Sequence, residues 1–172
     1  MMTREQNFKK FQMSELKIHE NIYACLAPAD PEATEFREKI LDVEMYFRVY
    51  LNKPDLFDNL SQHSFRVPAK MMTEELRKVA LENTKRTLEI KSMAEILGLP
   101  KGFGPDMDVV TTPTSTFGAT ALAFPEIFRE YCEQHHTKNL FIIPSSVHEL
   151  IILDNDGEID AGLLAPMIQS VN

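Results

Sequence analysis

Apolar and polar residues alternate from Leu41 to Leu51. Leu41, Val43, Met45, Phe47, Val49 and Leu51 fall on one side, with Asp42, Glu44, Tyr46, Arg48 and Tyr50 between them. Successive side chains of a strand leave opposite faces, so this period of two predicts one long strand with a buried face and a wetter one. Such alternation suits an antiparallel sheet covered on one side. A second signal lies further on. The apolar runs Leu140 to Ile143 and Val147 to Leu153 are separated only by Pro144, Ser145 and Ser146. Proline lacks the N–H that a ladder needs, so the chain is expected to reverse there and pair with itself. The resulting ribbon is the most apolar hairpin in the sequence and is expected in the middle of the molecule, shielded by helices.

Weaker patterns fill the remainder. Ile22 to Ala27 reads as a short strand, and Asp30 with Pro31 reads as the cap and first position of a short helix. Residues 52–59 read as a loop, and Ser64 to Pro68 as a short strand ended by its proline. A helix starts at Thr73, with Glu74 and Glu75 at its positive end and Lys85 and Arg86 at its negative end. Its stripe of Leu76, Val79, Ala80 and Leu88 is interrupted by Asn83 and Thr84. Ser92 and Glu95 have capping-box spacing, and the short helix they open is stopped by Gly98 and Pro100. Residues 98–106 are a Gly/Pro-rich loop.

Met107 to Thr112 and Thr116 to Phe124 predict a second hairpin around Pro113 to Ser115. Pro125 opens a helix with Ile127, Phe128, Tyr131, Cys132 and His135 on one face. Residues 154–157 read as a turn, and Asp160 caps a last helix running through Val171. Antiparallel hairpins with helices packed on one face make an α+β fold. The length of 172 residues suits a single domain over 20–172, after a segment 1–19 too poor in apolar positions to assign. Asn172 follows the last helix without a stop signal, which suggests a longer native chain.

Charge and composition narrow the partners. The formal net charge is −8, which disfavours nucleic acid and anionic membrane surfaces, since both recruit clustered Lys and Arg. The first residues, Met-Met-Thr-Arg-Glu-Gln, carry no apolar core of a secretory signal, and no window reaches the ~18 apolar residues that span a bilayer. A cytoplasmic protein is expected. Cys25 and Cys132 have no CxxC spacing and are expected to be reduced core residues.

Four stretches carry a resemblance. They are Ile142-Ile-Pro-Ser-Ser-Val-His-Glu-Leu-Ile151, Arg37 to Phe47, Ala80-Leu-Glu-Asn-Thr84 and Met167 to Asn172. Together they resemble the signature of a bacterial family known only as a domain of unknown function, over roughly residues 20–172. Pro113 to Ala119 departs from that family's usual hairpin. Members extend further at both ends, which the resemblance implies for this chain too. The family has no established activity, so the resemblance implies neither a catalytic site nor a cofactor.

The candidate sites follow from side-chain chemistry. Ser145, Ser146, His148 and Glu149 contain the parts of an activated nucleophile. On a strand, however, Ser146 and His148 point in parallel while Glu149 faces the other way, and no Gly-x-Ser-x-Gly elbow is present. Hydrogen bonding around the turn is the simpler role. Cys132 and His136, four apart, would meet one metal from a single helix face but supply only two ligands. Residues 154–160 resemble part of a calcium loop, yet aligning Gly157 puts Ile152 and Leu163 at required ligand positions. Asn83 reads as an amide satisfying neighbouring backbone, or lining a pocket. Tyr46 and Tyr50 on the wet sheet face offer a binding surface. The expectation is a non-enzymatic module that binds a protein or small ligand without a cofactor. The alternative is a small serine hydrolase using Ser146 or Ser145 with His148.

Overall fold

The computed structural model describes residues 15–50, 64–100, 102–103, 106–155, 157 and 162. The loop expected at 52–59 and the last helix from Asp160 lie outside these residues. The fold is α+β, with two antiparallel sheets and several helices. Where length suggests one domain, the chain groups into two compact units, 1–87 and 88–172, each with its own sheet.

In the first unit, helix α1 (Glu15–Asn21) leads into β1 (Ile22–Ala27), followed by β2 (Arg37–Ile40), β3 (Val43–Tyr50), β4 (Ser64–Arg66) and α2 (Glu74–Lys85). β3 is the axis: β1 pairs along one side of it, while β2 and β4 pair with successive stretches of the other. The register places Ile22 opposite Val49, Ala24 opposite Phe47 and Leu26 opposite Met45, and all six side chains are buried. This is the predicted apolar face.

The opposite face is not wet. Tyr46, Arg48 and Tyr50 are buried, together with Tyr23 and Cys25 from β1. The polarity is absorbed locally: the guanidiniums of Arg37 and Arg66 lie 5.7 and 4.8 Å from the centre of the Tyr46 ring. The strand is also shorter than its pattern. Leu41 and Asp42 form a two-residue turn between β2 and β3, with Ile40 paired to Val43. The paired Ile40 and Val43 share a face although they differ in parity, so period two ends at Val43, and it reaches back to Leu41 only because that turn residue is apolar.

Leu41 is 71% exposed and has φ 56°, a left-handed backbone that costs a side chain about 1 kcal/mol or more. Leu41→Gly is therefore expected to stabilise the protein by about 0.5 kcal/mol, despite the extra freedom it gives the unfolded chain. A urea midpoint that falls instead of rising would contradict this reading of the turn.

No helix starts at Asp30. Its Oδ1 accepts from Glu32 N–H (3.0 Å) and its carbonyl from Ala33 N–H (3.1 Å), closing a turn that delivers Glu35 to a bridge with Pro68. Helix α2 forms as its caps predict, with Thr73 Oγ1 accepting from Leu76 N–H at 3.1 Å. The polar interruption in its stripe has a use. Thr84 Oγ1 accepts from Ala24 N–H (2.8 Å), and Asn83 Nδ2 donates to Ile22 O (3.1 Å) and His19 O (2.7 Å). These two residues occupy backbone groups of β1, the strand at one edge of this sheet. Arg77 ties the same helix to β2 by a double hydrogen bond to Glu38, 2.7 Å at each oxygen.

The second unit contains β5 (Glu89–Ser92), α3 (Met93–Ile96), β6 (Asp108–Thr111), a 3-10 helix (Gly118–Ala123), α4 (Pro125–His135), β7 (Leu140–Pro144) and β8 (Leu150–Asp154). The sheet order is β5-β6-β8-β7, antiparallel throughout. The Pro144 hairpin forms, with its second strand beginning at Leu150. Only that strand is central: Leu150 and Ile152 are fully buried, whereas β7 is the sheet's edge and half-buried.

The hairpin expected at 107–124 is half right. β6 is a strand, but Gly118 to Ala123 is a 3-10 helix. Both sides of β6 are already taken, by β5 and by β8, which leaves no slot for a third partner. Strand β5 itself was not expected, since Glu-Ile-Lys-Ser offers one apolar residue and no period. The two other predicted helices are present. Ser92 Oγ caps α3 by accepting from Glu95 N–H at 3.2 Å, and Pro125 stands at the start of α4.

Candidate functional site

Two loops meet at one place in the second unit. One is 112–118, leaving β6, and the other is 145–149, between β7 and β8. Thr112 closes the first: its Oγ1 donates to Thr116 O (2.8 Å) and accepts from Thr116 N–H (3.0 Å). Ser115 and Phe117 both take left-handed backbone, φ 54° and 58°. For a buried aromatic such as Phe117 this is strained, by about 1–2 kcal/mol, and neighbouring contacts must hold it.

His148 supplies those contacts. Its Nδ1 accepts from Phe117 N–H (3.3 Å), its carbonyl accepts from Gly118 N–H (2.7 Å), and its ring meets Phe117 edge-on at 5.5 Å. With Nδ1 accepting, the neutral ring carries its proton on Nε2. Gly118 is where the loops come closest: a Cβ there would lie 2.6 Å from the carbonyl oxygens of both His148 and Val110. No other residue has room.

The serines are engaged with backbone. Ser146 Oγ accepts from His148 N–H (3.0 Å), and Ser145 Oγ donates to Glu149 O (3.4 Å). Pro144, Ser145 and Ser146 are exposed, while His148 and Glu149 are half-buried. The structure thus brings Ser146 to the main chain of His148 and not to its imidazole.

The remaining candidates scatter. Cys132 lies within α4, but His136 is the residue after its last turn, with φ 56°, so the two do not share a regular helix face. Tyr131 stacks on His135 (3.9 Å between centroids) and donates to Asp108 Oδ2 (2.8 Å), fixing α4 to β6. Burial and that carboxylate both raise the Tyr131 pKa. Among the described residues, no three His, Cys, Asp or Glu side chains gather as a metal set. Asn83 spends its amide on Ile22 and His19, and Tyr46 and Tyr50 lie buried beside Cys25. Burial pushes the Cys25 thiol up to about 12, against the opposing pull of Arg48 and the two tyrosine hydroxyls.

Sequence reasoning passed over one ionic cluster. Glu35 Oε1 receives Arg37 (2.8 Å) and Arg66 (2.6 Å), and Arg37 also reaches Glu44 (3.1 Å). The only early sign was a dense charge pattern at Glu35-Phe-Arg-Glu-Lys39. Burial would raise the Glu35 carboxyl, but hydrogen bonds from Arg37, its own backbone and Arg66 hold it at about 2. A depressed carboxylate stabilises the fold above its unfolded pKa and ceases to do so as pH falls through the folded value. Stability is therefore expected to drop between about pH 4.5 and 2, by on the order of 1 kcal/mol after solvent screening. Glu35→Gln should flatten that limb of the stability-versus-pH curve; an unchanged limb would remove Glu35 as its source.

Searches of the curated proteins and of the solved structures find no match. A family profile does match, over residues 33–172, which takes in β2 to β8 and both loops of the site. The chain belongs to the family described as "Family of unknown function (DUF5688)".

Proposed function

We propose that this chain is a non-enzymatic binding module of the cytoplasm that meets a protein or a small ligand through the Pro144–Ser145–Ser146 turn beside His148. The observation that carries this reading is how His148 is used. A serine hydrolase needs a serine oxygen about 3 Å from an imidazole nitrogen free to take its proton, with converging donors for the oxyanion. Here Nδ1 takes the Phe117 N–H, and Ser146 Oγ takes the backbone N–H of His148. The outward product is an exposed turn tied at both ends, and a turn already ordered loses little freedom on binding. A net charge of −8 supports a partner other than nucleic acid or an anionic membrane. No helix among the described residues is long and apolar enough to cross a membrane. Two unpaired cysteines suit a reducing compartment.

The test has two arms. Full-length wild type and Ser145→Arg/Ser146→Arg, immobilised as baits in native-host lysate, should differ in one saturable protein or metabolite retained by wild type alone. A broad esterase and peptidase screen of wild type, Ser146→Ala and His148→Ala should give equal background rates. Turnover by wild type that both alanine variants lose would replace this reading with the hydrolase.

A further inference from the structure

Exposed apolar surface is concentrated in one segment. Among the described residues, the large apolar side chains that stand exposed are Leu41, Ile90, Ile96, Leu97, Leu99 and Phe103. All but Leu41 fall between positions 90 and 103, on β5 and the stretch that runs straight from it. Leu97 is 56% and Phe103 68% exposed. Together these five side chains expose roughly 400 Å² of apolar surface within one short stretch of chain, about the size of patch that marks interaction sites. It is also close to the apolar share of the ~800 Å² that each partner contributes to a standard interface.

Strand β5 is the edge of its sheet, with no neighbour beyond it among the described residues. The register fixes which of its backbone groups are spare. Met93 N–H bonds to Met107 O (2.9 Å), so by alternation Lys91 and Glu89 turn their N–H and C=O groups toward β6. Ile90 and Ser92 turn theirs outward. The other sheet shows what protection looks like: Thr84 and Asn83 occupy edge groups of β1. Among the described residues, no side chain is recorded in that role over β5.

The side chains say which strand fits. Antiparallel pairing of Glu89-Ile90-Lys91 with a copy of itself, centred on Ile90, sets Glu89 opposite Lys91 of the second copy, twice over. The centre is then a hydrogen-bonded pair, Ile90 to Ile90, and the ionic positions are the closer, non-hydrogen-bonded ones. Within one chain Lys91 Nζ already reaches Glu89 Oε2 at 2.7 Å, so the patch is locally neutral in a chain of net charge −8. We infer that β5 is a homodimerisation edge: two copies join β5 to β5 about a two-fold axis at Ile90, with Ile96, Leu97, Leu99 and Phe103 covering the flanks.

Sedimentation equilibrium of the full chain at about 1–100 µM tests this directly. Wild type should be a dimer at the upper end. Lys91→Glu sets two carboxylate pairs face to face and Glu89→Lys two ammonium pairs, so each should weaken the dimer about tenfold or more. Mixing the two variants should restore association as a heterodimer, and the double exchange Glu89→Lys/Lys91→Glu should dimerise like wild type. Circular dichroism confirms that each variant is folded, and the rescues exclude a mere folding defect. A monomeric wild type at 100 µM, single variants that dimerise normally, or a mixture that stays monomeric would each overturn the proposal.

Discussion

Gly118→Ala is expected to cost about 3 kcal/mol or more and to melt the unit spanning 88–172. The reason is what surrounds the new methyl group. It would stand 2.6 Å from two carbonyl oxygens and 2.7 Å from Thr111 Cα, all of them backbone, so no flexible side chain can move aside. Either β6 or the 145–149 turn must shift. Shifting the turn breaks the 2.7 Å hydrogen bond from Gly118 N–H to His148 O and draws the imidazole away from Phe117 N–H. Phe117, left-handed and buried, then loses the contacts that offset its strain. Urea denaturation followed by far-ultraviolet circular dichroism measures the loss. A change under about 0.5 kcal/mol would mean that the two loops are not packed as described.

Thr84→Val and Thr120→Val should move stability in opposite directions, although both replace a buried threonine by a side chain of the same shape. Thr84 Oγ1 donates to Ala80 O (2.7 Å) and accepts from Ala24 N–H (2.8 Å). Valine would leave the Ala24 amide buried and unpaired at the sheet edge, a loss of about 2 kcal/mol. The Thr120 hydroxyl is fully buried and, among the described residues, has no hydrogen-bond partner. Valine there removes a desolvated polar group and should gain about 1 kcal/mol. Differential scanning calorimetry of the two variants gives both signs in one experiment. Two losses of equal size would show that side-chain shape, and not hydrogen bonding, governs both sites.

How legible each element was depends on the physics that sets it. Three caps were legible because they are local, Thr73, Ser92 and Pro125 each standing where their chemistry places them, whereas the same signal at Asp30 and Pro31 closes only a turn. The Pro144 reversal was legible because proline ends a ladder from within its own residue. The Leu41–Asp42 turn was hidden, since an apolar Leu41 carries the alternation into the turn by coincidence and neither residue is Gly or Asn. Strand β5 and the 3-10 helix at 118–123 depend on which strands flank β6, a long-range matter that no window contains. At the site, the backbone role of Ser145 and Ser146 could be argued from spacing alone. The link from His148 to Phe117, 31 residues away, could not. The buried Tyr46 and Tyr50 were misjudged as wet because a period-two pattern reports polarity and not cover: Tyr46 lies under two guanidiniums, and the Tyr50 ring meets Tyr23 edge-on.

The role of the histidine rests on where its ring proton sits, and two-bond proton–nitrogen correlation of the His148 imidazole reads that directly. The account predicts a neutral ring protonated at Nε2, with Nδ1 accepting from a Phe117 amide that exchanges slowly with solvent. A ring protonated at Nδ1, with Nε2 accepting from a serine hydroxyl, would contradict it and restore the nucleophile.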